Sequence, residues 1–133
     1  MKNLEPTLYK TADGSNTLYA RNLDQCYHSK HGAMQESQHV FIKHGLEFVL
    51  KKNQFPSILE IGFGTGLNCL LTFSKSIAVS YTSIENHPIS LDLAIELGYC
   101  ENDKEKLIYR QIHDSPWGKE LNINGNRLFK IKE

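Results

Sequence analysis

Apolar residues recur along this 133-residue chain in two rhythms, alternation and helical spacing, and the places where one gives way to the other outline its elements. From Thr7 to Tyr27 the text "TLYKTADGSNTLYARNLDQCY" sets Tyr- and Thr-bearing flanks around Asp13-Gly14, a dipeptide suited to tight reversals, and predicts an N-terminal hairpin. Met34, Phe41, Ile42, Leu46 and Val49 fit a helix with one buried face, punctuated by the stretch from Asn53 to Pro56. "SILEI", 57 to 61, reads as a short buried strand that runs into a glycine-rich loop and then a helix from about Leu67 to Ser74.

The same alternation of rhythms continues downstream. "IAVSYTSIE", 77 to 85, predicts a second strand, followed by a helix near Ser90 to Leu97 that Gly98 should stop. Asn102 or Asp103 caps a further helix through Ile112, and Asn124-Gly125 between "KELNI" and "NRLFKIKE" predicts a second hairpin. Strands 57–61 and 77–85 with their helices make a parallel βαβα unit. The expected architecture is a single α/β domain over 1–133, with hairpin and helix in 1–56 and a Rossmann-like unit plus hairpin in 57–133.

Charge and cysteine content narrow the picture modestly. Fifteen basic residues balance fifteen acidic ones, so no strongly basic face for nucleic-acid phosphates is visible at this level. Cys26, Cys69 and Cys100 are odd in number and widely spaced, which argues against a disulfide framework and for a reducing, cytoplasmic compartment. The N-terminus carries no signal-like apolar segment, and no stretch is long enough to span a bilayer. Six histidines form no zinc-like spacing, and no metal is expected.

"LEIGFGTGLN", 59 to 68, carries the chemistry. Gly62, Gly64 and Gly66 stand at the carboxyl end of a predicted parallel strand, where open α/β sheets bind ligands against bare backbone. The dinucleotide fingerprint would need glycine at the position of Leu67, and no Gly-Lys-Ser/Thr occurs, so nicotinamide and nucleoside-triphosphate loops are both disfavoured. Glu85 ends the neighbouring strand, where an acid can accept hydrogen bonds from ribose hydroxyls. The pattern Glu60-x-Gly-x-Gly-x-Gly resembles motif I of S-adenosylmethionine-dependent methyltransferases, in which the strand-end acid meets the ligand's ammonium.

A more specific resemblance covers essentially the whole chain. "DGSNTLY" (13 to 19), "LDQCYHSKHGAMQESQHVF" (23 to 41) and "GFGTGLN" (62 to 68) together resemble the bacterial tRNA methyltransferases that complete 5-methylaminomethyl-2-thiouridine at the wobble position, the stand-alone MnmD type and the N-terminal domain of the MnmC type. The resemblance implies a Rossmann-like domain that transfers a methyl group from S-adenosylmethionine to the aminomethyl nitrogen of a tRNA uridine. It implies that Gly62, Phe63, Gly64, Thr65, Gly66 and Asn68 line the methionine side of the cofactor and Glu85 its ribose, with Tyr27, Ser29 and Glu36 folding towards the cleft. In that family a further strand and an Asp-x-Phe-x-Pro-like loop supply the probable catalytic carboxylate, and this sequence stops at Glu133 before reaching them.

The chemistry asks for an unprotonated amine beside a sulfonium, so alignment, water exclusion and a proton acceptor are required. His28 and Glu36 are the upstream candidates for the acceptor, and Tyr27 and Trp117 are candidates to stack on a base, although aromatics beside loops more often pack. An inactive cofactor-binding module and a small-amine methyltransferase are the alternative readings. Strand 57–61, with apolar Ile58, Leu59 and Ile61 on both faces, is expected to sit at an open sheet edge and to promote self-association.

Overall fold

The computed structural model describes residues 5–75 and 77–133. Its N-terminal part is a three-stranded antiparallel sheet, β1 (Thr7–Lys10), β2 (Asn16–Ala20) and β3 (Gln25–Cys26), with the predicted reversal at Asp13-Gly14. The short β3 goes beyond the two-stranded expectation. Tyr27 N donates to Leu18 O at 2.8 Å, extending the pairing with β2.

A helical run follows, α1 (Ala33–Glu36), a π-helical segment (Ser37–Leu46) and α2 (Glu47–Leu50). Its start is capped from outside. Thr11 Oγ1, Ser15 Oγ and Asp13 Oδ2, all in the first hairpin's turn, accept from the amides of Ala33, Met34 and Gln35 at 3.1, 2.9 and 3.0 Å. These are helix-start amides with no partner inside the helix. Gly32 is required at the junction, since a Cβ there would stand 2.5 Å from Asp13 Oδ2. Burial alone would raise the Asp13 pKa, but bonds from the Ser15 hydroxyl and amide, the Gln35 amide and the Thr11 hydroxyl hold it at about 2.

The helix exists as expected, but its buried face is not the expected one. Ser37, Ile42 and Leu46 are buried at spacings of five and four, whereas Phe41 and Val49 are 48% and 41% exposed. The wider i→i+5 winding rotates the stripe that regular α spacing would bury. Phe41 and Val49 face a cavity instead.

The main sheet has the order β4-β5-β7-β6, from β4 (Ser57–Ile61), β5 (Ser80–Glu85), β6 (Glu120–Ile123) and β7 (Asn126–Lys132). β4 and β5 are parallel, as are β5 and β7, while β6 and β7 form the hairpin at Asn124-Gly125. Helices α3 (Leu67–Phe73), α4 (Leu91–Glu96) and α5 (Asp103–Asp114) complete the crossovers, with α3 packed on both the π-helical segment and α5. Ser90 and Asn102 cap α4 and α5 through their side chains, and Gly98 lies just beyond α4 at φ 68°.

β5 begins three residues later than its apolar run. Val79 N donates to the fully buried Asn126 Oδ1 at 3.0 Å, so a side chain takes the amide that a longer strand would spend on a ladder. Phe73, Tyr81, Leu70, Leu97, Ile112 and Leu128 form the centre of the core. On the opposite side, Leu59 and Ile61 are 65% and 75% exposed, and β4 pairs only with β5 among the described residues. The expected open edge is therefore present.

Replacing Asp13 by Ala should lower the unfolding free energy by about 1–2 kcal/mol, the range for loss of a helix cap. Urea unfolding followed by circular dichroism checks it, and an unchanged midpoint would remove the turn from the capping role.

Candidate functional site

Gly62, Gly64 and Gly66 follow β4 with φ of 89°, 55° and 76°, left-handed conformations that side chains disfavour. Gly64 and Gly66 are also sites of close approach. A Cβ on Gly64 would lie 3.3 Å from the Tyr27 ring, and one on Gly66 would lie 2.9 Å from His113 Nε2 and 3.0 Å from the Phe63 ring. Space around Gly62 is open, with nothing within 4 Å of a Cβ there.

The loop is pinned from beneath. Thr65 O accepts from Tyr109 Oη at 2.7 Å and from His113 Nε2 at 2.9 Å, both on α5. His28 bridges to the hairpin, with Nδ1 2.8 Å from Thr17 Oγ1 and Nε2 3.4 Å from Thr65 Oγ1. Burial pushes the pKa of His28 down to about 4. Burial also takes His113 to about 4, with Lys130 adding to the effect and the bond to Thr65 opposing it.

A cavity of about 540 Å³ opens between the π-helical segment, β4 and the glycine loop. It brings together Tyr27, Glu36, Glu60, Gly62, Phe63, Gly64 and Asn68 of the sequence-derived set, with His28. Ser29, Thr65, Gly66 and Glu85 do not line it. Ser29 shapes the turn before α1, its hydroxyl accepting from His31 N at 3.2 Å. Thr65 and Gly66 are buried beneath the loop.

Glu60 and Asn68 form the polar floor of the cavity. Glu60 Oε1 accepts from Ser83 Oγ at 2.8 Å and Oε2 from Asn68 Nδ2 at 3.4 Å. Burial raises the Glu60 pKa, against hydrogen bonds from Ser83, Tyr81 and Asn68. No basic side chain pairs with it among the described residues. Asn68 Oδ1 is buried without any hydrogen-bond partner, a state that costs roughly 1–3 kcal/mol.

Glu85 folds onto the loop instead of standing clear of it. Its Oε2 accepts from Gly64 N at 2.7 Å and its Oε1 from His87 N at 2.9 Å. With Gly62, Ile61, Ile84 and Asn86 it lines a second, shallower recess. Tyr27 lies close by; burial and then the Glu85 carboxylate raise its phenol pKa.

Two features were not legible from residue patterns. Lys130 is almost wholly buried beneath the loop, and Trp117 lies across it, 4.5 Å from Nζ to ring centroid, so this face of the indole is already covered. His113 and Tyr109 reach Thr65 from α5, where helical spacing alone marked only an apolar side. No cluster of metal-ligating side chains and no helix long and apolar enough to cross a membrane occurs among the described residues.

A glycine loop at the carboxyl end of parallel β4, followed by α3 and flanked by acids on β4 and β5, defines a Rossmann-like α/β protein. By sequence the chain is similar to part of the MnmC proteins. It is 31% identical over 88 residues to the tRNA 5-methylaminomethyl-2-thiouridine biosynthesis bifunctional protein MnmC of Legionella pneumophila (strain Lens), covering 56% of this chain and 13% of that protein. The protein of the same name in Burkholderia mallei (strain SAVP1) is 36% identical over 92 residues, covering 63% of this chain and 14% of the relative. The chain thus spans well under a fifth of the length of these relatives. The crystal structure of MnmC2 from Aquifex aeolicus superimposes with a TM-score of 0.76 at 21% identity, covering 99% of this chain and 44% of that one, and supports the fold. No protein-family model matches.

Acid should loosen the loop through its two buried histidines. Between about pH 6.5 and 4 the unfolded chain takes up protons that buried His28 and His113 refuse. Stability present above pH 6.5 is therefore lost as pH falls to about 4, by up to roughly 3 kcal/mol for each group. Unfolding free energies at pH 7 and 4.5 check this, and His113→Gln should flatten the decline.

Proposed function

We propose that this chain binds S-adenosylmethionine at the glycine loop and serves methyl transfer to the aminomethyl nitrogen of a wobble uridine in tRNA. The observation that carries the reading is the floor of the cavity. A carboxylate without a cation, Glu60, lies beside a buried acceptor without a donor, Asn68 Oδ1. An amino-acid ammonium supplies both missing partners, and the open space at Gly62 admits the ligand against backbone. The residues present therefore fit the cofactor, which when bound supplies an electrophilic methyl group.

The chain's own residues bind, orient and exclude water. Glu60 and Asn68 hold the ammonium end. Glu85, already fixed by two backbone amides, keeps lone pairs for ribose hydroxyls. Phe41 and Val49, turned outwards by the π-helical winding, supply apolar cover beside the loop. Glu36 is the cavity-lining carboxylate outside the polar floor and is the better proton acceptor of the two candidates. His28 spends Nδ1 on Thr17 and is held near pKa 4 by burial. The assignment of tRNA as substrate rests on the names of the MnmC relatives. A cytoplasmic location agrees with that substrate.

β4 also makes self-association the expected solution behaviour. Its open edge is flanked by exposed Leu59 and Ile61, and the formal net charge of +0 offers no repulsion between copies. Sedimentation should show concentration-dependent association that Leu59→Lys suppresses; a monomer at all concentrations contradicts it.

Calorimetric titration with S-adenosylhomocysteine tests the binding site. Glu60→Gln and Glu85→Gln should each weaken binding by about 1.5–3 kcal/mol, the range for hydrogen bonds to charged groups, and Glu36→Gln should weaken it less. Gly64→Val, which meets the Tyr27 ring and an unfavourable φ, should abolish binding. Parent affinity in the Glu60 and Gly64 variants would sink the assignment. Methyl incorporation into tRNA carrying the unmethylated aminomethyl group tests turnover; binding without incorporation would favour a cofactor-binding module instead.

A further inference from the structure

Lys130 is 1% exposed, and the strand register sets it in one row with Ser83 and Glu60 across β7, β5 and β4. Ser83 spends its proton on Glu60. Lys130 turns the other way, towards aromatic rings. Its Nζ lies 4.5 Å from the Trp117 centroid and 5.3 Å from that of Phe63, and donates to His113 O at 3.2 Å. Phe63 is the residue between the first two loop glycines, and its ring packs where a Gly66 side chain would stand, 3.0 Å from that position. Any shift of this ring must therefore move the loop.

We propose that Lys130 is a positioning residue of the glycine loop: its ammonium clamps Phe63 against Trp117 and keeps the loop in its ligand-accepting shape, so that affinity at the loop follows this lysine's protonation. The proposal rests on the reading of the loop as the S-adenosylmethionine site. Both ring faces attract a desolvated cation, and the His113 carbonyl fixes its position. From α3, Lys130 is faced by Cys69, whose thiol burial raises well above its ordinary pKa and so keeps neutral. From α5 it is faced by Asp114 and by His113, whose imidazole is neutral at physiological pH. Burial lowers Lys130 to about 8, with the Asp114 carboxylate opposing the shift. The clamp is therefore charged at neutral pH and is lost within the accessible alkaline range.

Trp117 is the chain's one tryptophan, so its emission reports on the clamp directly. Emission of the parent protein should change with a midpoint near pH 8, and Lys130→Met should remove that transition. Between pH 7 and 9.5 S-adenosylhomocysteine affinity should fall roughly fivefold further in the parent than in Lys130→Met, both losing the contribution of the ligand's own ammonium. In Lys130→Met it should be lower than in the parent at pH 7 and fall with pH only as far as loss of the ligand's own ammonium dictates, with lower amide protection at Phe63 to Gly66 at pH 7. A parent without the emission transition, or a variant that retains it, overturns the clamp. An emission transition with unchanged loop protection factors and a pH-dependent loss of affinity no larger than the variant's overturns the positioning role. If the parent binds no S-adenosylhomocysteine at any pH, the ligand reading fails, and parent loop protection factors across pH 7 to 9.5, with the intrinsic base-catalysed rate divided out, still decide whether Lys130 holds Phe63. The parent's emission and protection series need no variant, so misfolding of Lys130→Met leaves the test intact.

Discussion

Two hydrogen bonds to one backbone oxygen, Thr65 O, hold the candidate site together. Tyr109 and His113 reach it from the middle and end of α5, while His28 approaches the same residue's hydroxyl from the side of the N-terminal hairpin. The glycines give the loop freedom to bend, and these contacts remove it. A loop made of residues with high backbone entropy would otherwise sample many shapes, and binding would have to select one of them. Its fixed form instead depends on groups from segments well before and well after it in the chain.

That dependence explains which parts were legible in the sequence. Both hairpins, the parallel unit and the helices at 67–73, 91–96 and 103–114 followed from turn dipeptides, caps and apolar spacing, all of them local signals. The start of β5 did not, because Asn126, 47 residues away, takes the amide of Val79. The buried stripe of the helix after Gly32 was misread for a different reason. Spacing arguments presuppose a fixed winding, and the π-helical turns change it.

The site divides in the same way. Glu60, the glycines and Glu85 were visible because strand ends and glycine spacing are written in consecutive residues, whereas Asn68 came from the family resemblance of "GFGTGLN" alone. That Glu85 would fold onto the Gly64 amide, and that Thr65 would face inwards as an anchor, depends on the packing of β5 and α5. Lys130 gave no local signal: in "NRLFKIKE" it reads as one of two ordinary strand lysines, yet Lys132 is exposed and Lys130 is buried.

The pairing of β7 with β5 has a consequence for the order in which the chain assembles. β6 and β7 meet across a two-residue turn, and β4 meets β5 over a gap such as the 23 residues between Glu60 and Ser83, but Asn126 must find Val79 over 47. Closing the longer loop costs more entropy before any contact rewards it. The second hairpin is thus available as a finished piece before it docks, carrying Lys130 with it. Closure of the sheet and burial of that lysine under the glycine loop are then one event, so the candidate site takes shape only as the sheet closes.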